Sequence, residues 1–288
     1  MEVCKRPKLK ILIGPPGTGK SFWAKKYIAE TDPTAVIVSS DAIRLELYED
    51  ESCQKDPGKV FELMRTRAHE ALLYGKTVIW DATNMTRKNR ATAISAATSE
   101  TEIEAVIIWD YIDNIIVKDA SRKRCVGKDV IMRMLRNFQY PYYDEGIDKI
   151  TIEGNKYYNG TAMVNTTINQ DNPHHTLTVK EHCHKAWEYA MLNNYSYDVC
   201  IAASLHDCGK PETKSFFDAK GNSSEEAHYY GHQGVSAWKS ISDTRSNFQL
   251  WLISAHMEPY FDSKYYRKLS PWMKYQLDNL HKCDEYAH

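Results

Sequence analysis

Four groups of residues in this chain have types and spacings that could do chemistry. The first is Gly14, Gly17, Thr18, Gly19, Lys20 and Ser21, in the order Gly-Pro-Pro-Gly-Thr-Gly-Lys-Ser, directly after the apolar run Ile11–Ile13. A glycine-rich turn at that place lets backbone N–H groups close on a phosphate chain at a helix N-terminus, where the lysine reaches the terminal phosphates and the hydroxyl helps to hold magnesium. The second group is Asp41 and Arg44 after Ser39 and Ser40, with Asp81 after Trp80. A carboxylate there can accept a proton from an attacking hydroxyl, and a guanidinium can clamp an acceptor phosphate; the plainer role for Asp41 is to cap the next helix. The third group is a run from Arg122 to Arg136 with six basic side chains (Arg122, Lys123, Arg124, Lys128, Arg133 and Arg136) against one acid, Asp129. Alone it reads as a solvated face; after a P-loop domain's fourth strand it reads as a lid bringing arginines over a triphosphate. The fourth is a histidine-rich second half holding His182, His206, Asp207, His232, His256 and Asp284, all capable of ligating a metal.

The elements that must position these groups follow from periodicity. Leu9–Ile13, Ala35–Val38, Val78–Trp80 and Ala105–Trp109 read as strands, alternating with helices over Lys20–Glu30, Pro57–Tyr74 and Arg87–Thr98. Strand–helix alternation implies a parallel sheet covered on both faces, and ligands of such sheets bind at the C-terminal strand edge, where Gly14, Asp41 and Asp81 all fall. After it, apolar residues recur at helical spacing in Thr178–Leu192, Asp198–Leu205, Ser246–Ala255 and Pro271–Tyr286. The expected architecture is an α/β P-loop kinase domain over 1–150, a linker rich in Asn, Thr and Gly over 151–173 that reads as loop or short hairpin, and an all-α domain over 174–288. Histidine marks the same boundary, since only His69 precedes residue 170 and the other ten of eleven follow it.

Composition narrows the setting. Lys plus Arg number 37 against 38 Asp plus Glu, so no global positive field holds a polyanion and any nucleic-acid contact rests on a local basic patch. Seven cysteines, odd in number and without a Cys-x-x-Cys pair, argue against a disulfide framework and a thiolate zinc site and fit a reducing cytoplasm. The basic N-terminus and its short apolar run read as neither signal peptide nor membrane span, so the expected place is the cytosol.

The first three groups together, with Ser-Ser-Asp-x-x-Arg ending at Arg44 and Trp-Asp-Ala-Thr-Asn ending at Asn84, resemble the phage and bacterial 5′-hydroxyl polynucleotide kinase family from Lys8 to Ile150. The resemblance implies ATP and Mg2+ held by Lys20 and Ser21, Asp41 as general base and Arg44 on the acceptor phosphate. It further implies that Asp81 supports the site, that Arg122 or Arg124 steadies the transferring phosphoryl group and that the cytosol is that of a bacterium or a phage-infected host. Where the family has Val-Pro after the lid arginines, this chain has Val126 and Gly127. From His174 to Asp284 the order His, His-Asp, His, His, Asp, with His-Asp-x-Gly-Lys-Pro from His206, resembles the HD-domain phosphohydrolase superfamily. That likeness implies one metal on His182, His206, Asp207 and Asp284 and a second, bridged by Asp207, on His232 and His256, with Lys210 steadying a phosphate oxygen or the leaving group. An all N and O donor set suits Mn, Fe, Co, Ni or Zn. His184, His281 and His288 carry no expected role, and His175 and His228 are left undecided between substrate contact and none.

Two such halves suggest the healing of RNA or DNA ends, in which a 5′-hydroxyl is phosphorylated and a 2′,3′-terminal phosphate is removed or opened for a separate ligase. The alternative is a small-molecule kinase fused to a nucleotide phosphohydrolase. A third reading makes the second half a binding or dimerising module. Oligomeric state and the choice between RNA and DNA stay open.

Overall fold

The computed structural model describes residues 6–154, 166–173, 176–244 and 246–287. They divide into two compact units, one formed by residues 1–131 and 141–155 and the other by residues 132–140 and 156–288.

The first unit is built on five parallel strands, β1 (Lys8–Ile13), β2 (Val36–Ser39), β3 (Thr77–Asp81), β4 (Glu102–Ile108) and β5 (Lys149–Glu153), in the spatial order β2-β3-β1-β4-β5. The helices are α1 (Lys20–Glu30), α2 (Ser40–Tyr48), α3 (Pro57–Leu73), α4 (Arg87–Ile94), α5 (Ile112–Ala120) and α6 (Lys128–Arg136), the last beginning in the first unit and ending in the second. β1 is central and its residues from Ile11 to Ile13 are fully buried, as the apolar run requires. One sheet face closes a core of Leu12, Ile79, Val106 and Ile108 with Ala24 of α1, against which Trp23, Tyr27 and Ile28 pack. α3 buries Val60, Met64, Ala68 and Leu72, four residues apart along one stripe, and starts from Asp56, whose carboxylate accepts the Lys59 N–H, with Pro57 in the first turn. The register that sets Ser39 beside Asp81 brings the ends of β2 and β3 level. β5 runs from the end of the expected first domain into the expected linker; as a half-exposed edge strand of Lys-Ile-Thr-Ile-Glu it has no apolar run, and its pairing with β4 defines it.

The second unit contains α7 (Val179–Leu192), α8 (Tyr197–Leu205), α9 (Lys210–Thr213), β6 (Ser215–Phe217), β7 (Ser223–His228), α10 (His232–Lys239), α11 (Asn247–Ala255), α12 (Lys264–Lys268) and α13 (Pro271–Tyr286). It is mostly helical, with one correction to the all-α expectation: β6 and β7 form an antiparallel hairpin. Its strands are short and rich in Ser and Glu, so they carry no alternating apolar signal. α8 buries Val199, Cys200, Ala202, Ala203, Ser204 and Leu205, and α11 is buried continuously from Phe248 to Ala255. Helices apolar on all sides take central places, and here α8 packs against α7, α11 and α13. Residues 132–140 join this unit although the composition boundary lies at 151–173. Phe138 meets Trp238 edge to face at 5.2 Å, and the Tyr140 amide donates to Ser254 Oγ at 2.9 Å. The six described cysteines are free thiols, and among the described residues no helix is long and apolar enough to cross a membrane.

Candidate functional site

In the first unit the loop between β1 and α1 takes the conformation its glycines allow. Gly17 and Gly19 have φ of 91° and 94°, and a Cβ on Gly17 would lie 2.5 Å from the Ile115 carbonyl oxygen. The Gly14 amide donates to the Thr83 carbonyl at 3.0 Å, and the Asn84 side-chain amide donates to the Leu12 carbonyl at 2.6 Å, so the segment after β3 braces the loop. Lys20 curls onto the loop, donating to the Gly14 and Pro15 carbonyls at 2.7 and 3.0 Å, and Thr18 donates to Pro15. Burial lowers the Lys20 ammonium to about 8, against the pull of Asp81, with the Arg122 charge adding to the lowering. Ser21 Oγ donates to Asp81 Oδ2 at 2.8 Å, the pairing of hydroxyl and carboxylate through which P-loop enzymes hold magnesium. Burial raises Asp81, opposed by Lys20 and Ser21.

Asp41 does not cap α2; Ser39 does, accepting the Ala42 N–H. The Asp41 carboxylate, half-exposed in the first turn, meets Arg44 Nη1 at 3.0 Å and Arg124 Nη1 at 3.3 Å. Arg122 instead pairs with Asp119 at 3.1 Å. Asp119 had no expected role, yet it ties the loop between α5 and α6 together, accepting the Val126 and Gly127 amides at 2.9 and 3.0 Å and the Cys125 thiol at 3.2 Å. Burial pushes its carboxyl up, but these donors and Arg122 hold it below the usual range. Gly127 has φ of 86°, whereas proline fixes φ near ~−65° and lacks an N–H, so the turn into α6 is one that a proline could not make.

In the second unit the six metal-capable residues converge. His182 comes from α7, His206 and His256 are the residues capping the C-terminal ends of α8 and α11, Asp207 follows His206, His232 opens α10 and Asp284 lies on α13. Two sets, His182/His206/Asp207/Asp284 and Asp207/His232/His256, each place one donor atom per residue within 4.8 Å of the others, and all are buried. His182 Nε2 lies 3.0 Å from Asp284 Oδ1, 3.2 Å from His206 Nε2 and 3.3 Å from Asp207 Oδ2. Across the shared carboxylate, His232 Nε2 stands 3.1 Å from Asp207 Oδ1 and 3.0 Å from His256 Nε2.

The outer nitrogens explain the inner ones. Each Nδ1 faces a backbone carbonyl: His182 to Ala287 at 3.2 Å, His206 to Ala203 at 2.9 Å, His232 to Tyr229 at 2.8 Å and His256 to Ile253 at 2.7 Å. Those carbonyls accept a hydrogen bond from Nδ1–H, which turns the Nε2 atoms inward on two carboxylates. Such a convergence of acceptors needs positive charge at its centre, from protons or cations, and the partial negative charge at the ends of α8 and α11 favours the same sign. In the metal-free protein, burial pushes His182 down but Asp207 and Asp284 prevail, raising it to about 9, while burial beside His232 and His206 lowers His256 to about 3. Burial pushes both carboxyls up, but Lys210 with His206, His182 and His232 holds Asp207, and His206 with His182 holds Asp284, well below the usual carboxylate range. The donor set therefore fits divalent ions.

Lys210 Nζ meets Asp207 Oδ2 and Gln170 Oε1, both at 2.6 Å, and Tyr260 Oη donates to Asp284 Oδ2 at 2.9 Å. Gln170 and Tyr260 carried no sequence signal, since neither stands in a metal-binding spacing. His184 pairs with Glu188 at 3.3 Å, His281 with Glu285 at 3.4 Å, and His228 stacks on Tyr230. His175 and His288 lie outside the described residues.

Parallel sheet, glycine loop, Lys20, and the Ser21–Asp81 pair define the first unit as an α/β P-loop domain, and the AAA domain family matches residues 9–141. Among solved structures the chain is similar to one in the Pnkp1/Rnl/Hen1 RNA repair complex, at 25% identity and a TM-score of 0.42 over 49% of this chain and 46% of that one. A second structure of the Pnkp1/Rnl/Hen1 complex matches at 26% identity and a TM-score of 0.35 over 38% of each chain. A gluconokinase from Sinorhizobium meliloti 1021 matches at 13% identity and a TM-score of 0.37 over 51% of this chain and 82% of that one. The chain thus spans less than half the length of the RNA repair chains it matches. No curated protein matches it.

Proposed function

We propose that the chain heals nucleic-acid ends, its P-loop unit phosphorylating a 5′-hydroxyl end from ATP with magnesium and its histidine-rich unit removing or opening a 2′,3′-terminal phosphate. The observation that carries this reading is the presence in one chain of an α/β P-loop domain and of two buried metal-ligand sets sharing Asp207. Each end of a strand cut to a 5′-hydroxyl and a cyclic phosphate needs one of these chemistries before a separate ligase can join it.

At the 5′ end, Lys20 and the loop amides bind the triphosphate, and Ser21 with Asp81 holds magnesium. Asp41 takes the proton of the attacking hydroxyl. Arg44 and Arg124 already sit on Asp41, so an acceptor phosphate that draws Arg44 away frees the carboxylate for that proton. Arg122 or Arg124 steadies the charge of the phosphoryl group in flight. At the other end, divalent ions on the two ligand sets would supply Lewis-acid stabilisation of charge on the phosphate oxygens. Lys210 orients Asp207 and offers an ammonium to a phosphate oxygen.

The test offers γ-labelled ATP with 5′-hydroxyl RNA, 5′-hydroxyl DNA and a panel of nucleosides and sugars, then offers metal-loaded protein an RNA ending in a 2′,3′-cyclic phosphate. Label on oligonucleotide ends and loss of the cyclic phosphate are the expected results. Label only on small acceptors, with hydrolysis only of free nucleotides, would establish the alternative of a small-molecule kinase joined to a nucleotide phosphohydrolase.

A further inference from the structure

A cleft of about 330 Å³ opens onto the second unit's ligand sets, with Asp207, His232 and Asp284 in its lining. Its other walls are aromatic in a way that ligation of a metal does not require. Tyr229 is fixed by its hydroxyl, which donates to the Gln170 carbonyl, and Lys210 Nζ lies 5.4 Å over its ring. Tyr260 is fixed by its bond to Asp284 and by an edge-to-face contact with His281 at 4.1 Å. Two further rings line the cleft without such ties to the floor. Phe261 is 71% exposed and Tyr230 48% exposed, with the His228 ring stacked 5.3 Å from Tyr230 at 14°.

Two exposed aromatic rings lining a cleft with a buried ionic floor offer apolar surface that a ligand held by that floor can cover. The floor recognises a phosphate by charge alone and cannot distinguish what the phosphate is attached to. Flat rings supply that distinction, because every nucleobase has a π-face that stacks on an aromatic side chain regardless of sequence. The cleft's volume lies near the lower end of the ~300–1,000 Å³ typical of small-ligand sites, room for one nucleotide and not for a base pair.

We propose that Tyr230 and Phe261 form a single-base subsite that stacks the nucleobase of the nucleotide whose phosphate meets the histidine and aspartate floor, an inference that rests on the phosphoesterase reading above. The substrate is then an unpaired terminal nucleotide, since a base held in a duplex is already stacked and cannot enter.

The experiment uses the full-length, metal-loaded protein and a matched pair of single-stranded RNA oligonucleotides with 2′,3′-cyclic phosphate ends, one ending in adenosine and the other in an abasic ribose. The wild type should favour the adenosine end in kcat/KM by about tenfold, the size of one base–aromatic stack. Phe261→Ala and Tyr230→Ala should each shrink that ratio, Phe261→Trp should restore it, and base-pairing the terminal adenosine should abolish the preference. Equal rates on both ends, or a parallel loss on both in the alanine variants, overturns the subsite and leaves the end-healing reading standing. Failure to process either oligonucleotide overturns the end-healing reading instead, and calorimetric binding of adenosine 5′-monophosphate against ribose 5-phosphate then decides the subsite. A preference of about tenfold that Phe261→Ala removes supports it, and equal affinities overturn it.

Discussion

Lys20 combines a buried ammonium with two carbonyl partners, and its pKa of about 8 makes the P-loop sensitive to pH in a direction that can be worked out. A bound triphosphate favours the charged lysine, so its pKa in the complex lies above that of the free protein. Affinity for ATP is then full below pH 8 and falls as pH rises above it, by up to about tenfold per unit until the bound-state pKa is reached. Lys20→Arg, whose guanidinium stays charged, should flatten that slope; an equally steep decline in the variant, measured by calorimetry, would assign the effect elsewhere. Asp41→Ala should lower 5′ phosphorylation by about 10²–10⁴-fold, the usual worth of a positioned base, with ATP binding retained. Loss of ATP binding in step with rate would make Asp41 part of the nucleotide site. The P-loop lysine and serine announce themselves in sequence by fixed offsets. Asp119 does not: its partners Cys125, Val126 and Gly127 are found only once the loop between α5 and α6 folds back on it.

Helix ends do much of the work in the second unit. The C-terminal parts of α8, from Ala202 to Leu205, and of α11, from Phe248 to Ala255, are buried, so the residues that follow them, His206 and His256, are delivered into the interior. Gly209 sets how close α10 comes to this point, because a Cβ there would meet Ser236 N at 2.5 Å and the His232 carbonyl oxygen at 2.7 Å. Gly209→Ala should therefore push His232 away from Asp207, destabilising the fold by about 1–3 kcal/mol and lowering metal content. A variant with lowered Tm but full metal by elemental analysis would show that the two ligand sets tolerate the shift. Asp284→Asn on α13 is the complementary change, keeping size and removing charge. It should reduce bound transition metal and phosphoesterase rate together, and unchanged metal would exclude Asp284 as a ligand. α8, α11 and α13 were legible as apolar stretches of helical length, whereas α10 was not read from the sequence. The β6–β7 hairpin and β5 were not, since their half-exposed polar strands acquire meaning only from a partner.

Each compact unit closes its own core and carries its own candidate site, which predicts separable activities for the whole chain. Lys20→Ala should abolish phosphoryl transfer and leave phosphoesterase activity within about twofold of wild type, and Asp207→Ala should do the reverse, as expected of sites that share no partners. Loss of both activities in a folded Lys20→Ala protein would mean that the two chemistries depend on each other. Residues 132–140 fall in the second unit, although the basic run from Arg122 to Arg136 overlaps their start, and Phe138 and Tyr140 pack with Trp238, Ser254 and Asn247.

Sequence alone determined what is local in the chain: the glycine loop with Lys20 and Ser21, the apolar runs of β1 to β4, the stripes of the longer helices, and the order of metal-capable residues from His182 to Asp284. These signals depend on spacings of a few residues, or on residue types with little other use in an interior. Tertiary structure decided what depends on meetings across the fold. It gave the capping role to Ser39, leaving Asp41 to two arginines, set Gln170 on Lys210 and Tyr260 on Asp284, and brought Tyr230 and Phe261 to the mouth of one cleft. A tyrosine, a glutamine or an exposed phenylalanine has no characteristic spacing, so its partner is fixed only when separate helices and loops are folded against one another.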